Sequence, residues 1–209
     1  MKDYRCTQYC PSFEAIPKRK PLLLKIIRKA HPRARNIYMI INKSGTDEHR
    51  AFFDLYNNKC AYCGCSVDVI PAQLYNIDHI KPSAIKAIPA ENPNALENLV
   101  LACRTCNAGK SDFWFEELSD KWSPDGEGIA TLFVRDELFR IRIAPKYTDD
   151  ENITILFEKL RFGDQQRRLD HLLMSIYGYA KTLPNGSEKR QSLLEVGRML
   201  QSKRNRKGL

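Results

Sequence analysis

Cys60-Ala-Tyr-Cys63, then Tyr75-Asn-Ile-Asp-His-Ile80, then Asn98-Leu-Val-Leu-Ala-Cys103-Arg-Thr-Cys106-Asn107 with Lys110 beyond, is the stretch that decides how this 209-residue chain reads. In a Cys-x-x-Cys pair one tight turn aims two sulfurs at one point, and two such pairs supply four ligands. Tetrahedral coordination by four cysteines is the common closed form of a structural zinc site, with no position left for water. Cys60, Cys63, Cys103 and Cys106 are therefore expected to hold zinc as a staple for a small core, so that chelation unfolds the core locally. Buried free thiols are the competing reading. Cys65 offers a rival thiolate beside Cys63, and Cys6 and Cys10 are expected to be free or buried thiols.

Between the pairs lie 39 residues, enough for a hairpin and a loop. Tyr75–Ile80 alternates and predicts a strand ending near Pro82; Leu99–Ala102 is apolar and predicts its antiparallel partner. A short helix is expected from Asn107 through about Leu118. The second pair closes at Cys106, so Asn107 should be fixed against the strand that carries Asp78 and His79. The expected fold class is α+β. It has a zinc-stapled ββα core over 58–118, a basic helical lead-in over 1–57, and a hairpin plus mostly helical region over 119–209.

These residues resemble the HNH, or ββα-metal, endonucleases. The resemblance runs over about 58–115 and rests on Asp78-His79-Ile80-Lys81-Pro82, Asn98-Leu99 and Cys103-x-x-Cys106-Asn107-x-x-Lys110-Ser111-Asp112. The HNH cleavage domain of RNA-guided CRISPR effectors is similar in its Asp-His and its late Asn-x-x-Lys-Ser-Asp. The departure is Asn107, where the family name has histidine, a variant found in active members. The resemblance implies a metal-dependent nuclease acting on DNA rather than RNA. His79 would activate water, since an ordinary imidazole titrates near about 6.5. Asp78 points to the opposite strand face from its neighbour. With Asn107 it would give a hard, unsaturated oxygen shell for Mg²⁺ or Mn²⁺. Asn98 would brace the hairpin, and Lys110 would touch phosphate.

The charge pattern agrees with a polyanionic partner. Net charge is +9, yet residues 18–35 and 203–209 together hold twelve of the 34 Lys and Arg and no acid, leaving a body at −3. Lys25, Arg28, Lys29, Arg33 and Arg35 are the expected phosphate contacts, with Lys110. A solvated helix face is the plainer alternative. No apolar run approaches the roughly 20 residues of a membrane span, and the start Met1-Lys-Asp-Tyr-Arg-Cys lacks an apolar leader, so a cytoplasmic location is expected.

Elsewhere, Pro21 predicts the first turn of a helix to about Ala30 with Leu22, Leu23, Ile26 and Ile27 as its apolar face. Thr46 predicts an N-cap for a helix to about Asn57. Ile129–Val134 and Leu138–Ala144 predict a hairpin around Arg135-Asp-Glu. From Asp149 onward the pattern is helical. One stripe contains Leu169, Leu172, Leu173, Ile176 and Tyr177; another contains Leu193, Leu194, Val196, Met199 and Leu200. Both are expected to be core. His31, His49 and His171 are expected to be surface or capping residues.

Two function classes remain. A nuclease needs Asp78, His79 and Asn107 together, whereas a zinc-stapled binding module without cleavage needs only the cysteines and the basic flanks. The helical lead-in and C-terminal half also resemble stand-alone HNH proteins of Septu-type and some retron antiphage systems. That resemblance implies an ABC-type ATPase partner, docked by residues 150–203.

Overall fold

A computed structural model describes residues 3–82, 92–116 and 122–206. Its architecture is mixed α+β. In chain order the main elements are α1 (Ile16–Ala30), α2 (Ile37–Ile41), α3 (Asp47–Leu55), β1 (Tyr75–His79), β2 (Leu99–Cys103) and α4 (Arg104–Lys110). There follow α5 (Gly128–Leu132), β3 (Phe133–Arg135), β4 (Ile141–Ile143), α6 (Glu151–Lys159), α7 (Gln165–Thr182) and α8 (Glu188–Arg206). No helix among the described residues is long and apolar enough to cross a membrane.

β1 and β2 pair antiparallel from Tyr75↔Cys103 to His79↔Leu99. A two-stranded ribbon is marginal by itself, and packing on every side stabilises this one. All five residues of β2 are buried, the first Cys-x-x-Cys turn docks on it through Ala61 N–H to the Leu101 carbonyl at 2.7 Å, and α4 follows without a break. Above it α1, α2 and α3 form a helical layer, with Phe53 of α3 lying 6.0 Å from the Tyr75 ring.

The helix boundaries follow local chemistry. Thr46 caps α3 as expected, its Oγ accepting from His49 N–H at 3.2 Å, and Asn36 does the same for α2. α1 begins earlier than Pro21 predicts, because Pro17 takes the first-turn position and Pro21 lies inside the helix. Leu23 and Ile27 are buried there while Leu22 and Ile26 are exposed. α4 starts at Arg104 instead of Asn107 and ends at Lys110, short of Leu118; residues 117–121 lie outside the described residues. The predicted first hairpin arm is mostly α5, with β3 and β4 only three residues each.

Two burial expectations are corrected, and one lysine of the basic 18–35 run turns inward. Val196 is 51% and Met199 70% exposed, while Leu193, Leu194 and Leu200 are half-buried and Leu200 packs against the core, so only part of that stripe of α8 faces inward. His171 is buried and stacks on Phe139 at 5.5 Å, unlike His31, which is exposed and pairs with Glu48. Lys20 is withdrawn from the basic face: it is buried, ion-paired with Asp125, and donates to the Glu97 carbonyl at 3.1 Å.

The N-terminal segment straps across the first cysteine turn. Arg5 is buried and donates to the carbonyls of Ala61 at 2.8 Å and Pro124 at 2.7 Å. Gly64 permits this approach: its φ is +76°, and a Cβ there would lie 2.1 Å from the Arg5 carbonyl oxygen.

Candidate active site and metal centre

The sulfurs of Cys60, Cys63, Cys103 and Cys106 all lie within 4.8 Å of one another and all four residues are buried. Cys63 and Cys103 are 3.8 Å apart at sulfur. Four ligands at the usual zinc–sulfur length of about 2.3 Å in a tetrahedron are separated by roughly 3.8 Å, so the donor set fits a tetrahedral metal ion. Backbone geometry prepares it: Gly64 N–H donates to the Cys60 carbonyl and Cys60 N–H to the Cys65 carbonyl, each at 2.8 Å, closing the first turn. The other three cysteines stand outside the cluster. Cys65 is buried beside Ser66, Cys6 contacts Lys59, and Cys10 lies under the Met174 carbonyl.

β1 presents Asp78 and His79 to opposite sides. Asp78, 7% exposed, faces α4 and the first cysteine turn; its Oδ2 accepts from Tyr62 hydroxyl at 2.7 Å and lies 3.5 Å from Lys110 Nζ. Burial pushes the Asp78 carboxyl above the usual carboxylate range, while the Lys110 charge and the Tyr62 hydrogen bond pull it back. His79 is half-buried. Its ring stacks on Tyr38 of α2 at 5.0 Å with 29° between planes, and Nε2 lies 3.0 Å from Asn94 Oδ1.

Asn98 sits where β2 begins and ties the two ends of the loop together. It accepts from Lys81 N–H at 2.8 Å and donates to the carbonyls of Lys81 at 3.0 Å and Pro93 at 2.9 Å. Asn107 is half-buried on α4, three residues before Lys110 and so on the same helix face. Lys110 itself departs from expectation. It is completely buried, donates to the His79 carbonyl at 2.8 Å and pairs with Asp78, so it seats α4 on β1 instead of reaching for phosphate. Burial lowers its pKa, opposed by Asp78. Lys25, Arg28, Lys29, Arg33 and Arg35 are all exposed, on α1 and the connection to α2. Arg35 is three residues from Tyr38, which places its Cα within about 11 Å of the residue stacked on His79.

Tyr38, Tyr62 and Asn94 were not singled out by sequence. Tyr62 is an x position of the first Cys-x-x-Cys pair, which marks only the sulfurs, and no motif marks Tyr38; each of the three reaches the site through a long-range or loop contact. For Asn94 the Asn92-Pro-Asn turn before Asn98 was the one local sign.

An HNH endonuclease family model matches residues 60–113. Over 90 residues the chain is 35% identical to "SPbeta prophage-derived putative HNH endonuclease YoqL" of Bacillus subtilis (strain 168), covering 43% of this chain and 39% of that protein. The matched part therefore spans about two fifths of the relative's length. No solved structure matches the chain. Both cysteine pairs and the hairpin between them fall inside the family span. Residues 60–113 are an HNH endonuclease domain, the class that the Asp-His strand and the late Asn-x-x-Lys resemble.

Proposed function

We propose that the chain is a metal-dependent endonuclease that hydrolyses phosphodiester bonds in DNA, with zinc in the four-cysteine centre as a structural staple. The observation that carries this reading is the division of labour on β1. Asp78 faces α4, where Asn107 lies, and His79 faces outward against Tyr38 and Asn94. With Asn94 Oδ1 as acceptor, Nε2 of His79 carries the hydrogen and Nδ1 is the nitrogen that takes a proton from water. Asp78 and Asn107 would hold Mg²⁺ or Mn²⁺, which when bound supplies charge neutralisation at the scissile phosphate and the leaving oxygen. Asn98 keeps the loop closed at the head of the hairpin and so holds the strand register on which His79 depends.

On this reading residues 1–57 form a basic lead-in, 58–118 the nuclease core and 119–209 a region for partner docking. Exposed Lys25, Arg28, Lys29, Arg33 and Arg35 support phosphate contact beside the site. The exposed Val196 and Met199 of α8 support docking of a protein partner. We assign that partner as an ABC-type ATPase and the setting as cytoplasmic antiviral defence, by the resemblance to Septu-type and retron systems. Co-purification of such an ATPase with the chain, lost on V196D/M199D, is the expected result.

Plasmid cleavage tests the core proposal. Purified protein with Mg²⁺ or Mn²⁺ should nick or linearise DNA, EDTA should stop it, and His79→Ala at equal zinc content should lose about 10²- to 10⁴-fold. Equal cleavage by wild type and His79→Ala would remove His79 as the base. Zinc-loaded protein that binds DNA and never cuts, even with its partner, would favour the binding-module reading.

A further inference from the structure

We propose that Arg167 is an outer ligand of the four-cysteine centre, and that through it the metal and the C-terminal helices behave as one cooperative unit. This rests on the reading that the centre holds zinc.

Arg167 lies in the first turn of α7 and is 3% exposed. Its Nη2 donates to Cys106 Sγ at 3.2 Å and its Nη1 to Cys103 Sγ at 3.8 Å. The second hydrogen of Nη2 goes to the Leu160 carbonyl at 2.8 Å and Nε faces the Arg161 carbonyl at 3.4 Å. Four thiolates around a divalent ion carry a net charge of −2, and burying that charge without a counter-ion is costly. A guanidinium touching two of the sulfurs halves the excess and draws density from both through N–H···S bonds. Planar, directed donors make Arg better suited to this than Lys.

Charges of alternating sign then continue outward. Asp170, one turn along α7, is buried and accepts from Arg204 Nε of α8 at 2.6 Å. The sequence thiolates, Arg167, Asp170, Arg204 runs from the second cysteine turn to the last turn of the final helix. α6 is seated on the same unit: a Cβ at Gly109 of α4 would lie 2.1 Å from the Lys159 carbonyl oxygen. Loss of the metal frees the sulfurs of Cys103 and Cys106 from one another, so the pair of acceptors that holds Arg167 in the first turn of α7 is no longer fixed in place. Metal loss should therefore loosen α6–α8, and by linkage their docking should raise metal affinity.

The test uses the full chain as wild type, Arg167→Met, Arg167→Lys and Leu173→Ala, the last trimming a buried α7 side chain away from the sulfurs. Zinc affinity is read by competition with a chromogenic chelator. The sulfur environment is read from the thiolate-to-metal charge-transfer band of the Co²⁺-substituted protein. Arg167→Met should bind zinc about 10- to 100-fold more weakly, the usual consequence of losing an outer-ligand contact, and should shift the cobalt band. Arg167→Lys should recover part of the affinity, and if Arg167→Met is insoluble the Lys variant carries the comparison, with a several-fold loss expected. Leu173→Ala should lower thermal stability with an unshifted band. A Met variant that binds zinc like wild type, or a Leu173→Ala variant that matches it in affinity and band, overturns the proposal. Wild-type protein without a tetrahedral thiolate cobalt spectrum overturns the zinc reading itself, an outcome the variants cannot mimic.

Discussion

Asn98 closes a two-way bridge to the main chain of Lys81, accepting from its N–H at 2.8 Å and donating to its carbonyl at 3.0 Å. One side chain thus replaces the next rung of the β1–β2 ladder at the point where the strands part. Asn98→Ala removes three hydrogen bonds and should cost about 2–4 kcal/mol, at roughly 1 kcal/mol each plus a desolvation penalty. Asn98→Asp keeps an acceptor for Lys81 N–H and loses both donations, so it should fall between. Urea denaturation of the zinc-loaded proteins gives the order, and an Ala variant as stable as wild type would dismiss the brace.

Lys110 and Asp78 form a buried ion pair between α4 and β1. Lys110→Met leaves the carboxylate without its cation and should destabilise by about 3–5 kcal/mol. Lys110→Met with Asp78→Asn removes both charges and should recover part of the loss. A double-mutant cycle in chemical denaturation measures the coupling; a coupling near zero would mean that Lys110 matters only through the His79 carbonyl.

Tyr38 should act on turnover and little on binding. Its stack on His79 is of the kind worth about 0.5–1.5 kcal/mol, so Tyr38→Ala should slow cleavage roughly 2- to 13-fold at saturating DNA. Tyr38→Phe keeps the ring and should keep the rate. Neutralising Arg33 and Arg35 should do the reverse, weakening binding and flattening its salt dependence by about two phosphates. A Tyr38→Ala enzyme altered in DNA affinity alone would refute this separation.

Stripping the cysteine centre with a strong chelator should release one equivalent of zinc and expose four additional thiols to a chromogenic thiol reagent. β1 and β2 amides should then exchange faster, because the second turn that anchors β2 is no longer closed. Unchanged thiol reactivity after chelation would mean that the four sulfurs hold no metal.

Asp136, in the turn between β3 and β4, is held below its ordinary value of 3.8, chiefly by the backbone N–H of Arg140 and next by the Arg142 side chain. With the folded value below the unfolded one, its contribution is fully present above 3.8 and vanishes as pH falls through the folded value. The stability gap between wild type and Asp136→Asn should thus be constant near neutrality and close in strong acid. A gap that widens on acidification would contradict the assignment.

The hairpin, the cysteine quartet and the Thr46 cap were legible in sequence because their signals are local: alternation, a two-residue spacing between thiols, a hydroxyl before a helical run. The roles of Lys110 and Arg167 were not. A lysine one turn after Asn107 looks the same whether it reaches solvent or is buried under β1, and its burial is decided by Asp78, 32 positions earlier in the chain. Arg167 stands 61 residues from Cys106 with nothing local to mark it. The α8 stripe was overread for a related reason. Apolar periodicity defines a face of a helix, and Val196 and Met199 belong to a face that nothing in this chain covers among the described residues.

The contact between Arg167 and the second pair of cysteines also bears on the order in which the protein is made. Ribosomal synthesis delivers Cys60 and Cys63 first, the Asp78-His79 strand next, Cys103 and Cys106 later, and Arg167 well after all of them. A nascent chain that already contains both cysteine pairs and the Asp78-His79 strand still lacks the guanidinium that reaches the sulfurs of Cys103 and Cys106 and the helices seated on α4. The four-cysteine cluster is thus completed from its C-terminal side, and a product truncated before Arg167 carries all four sulfurs without the guanidinium that reaches two of them.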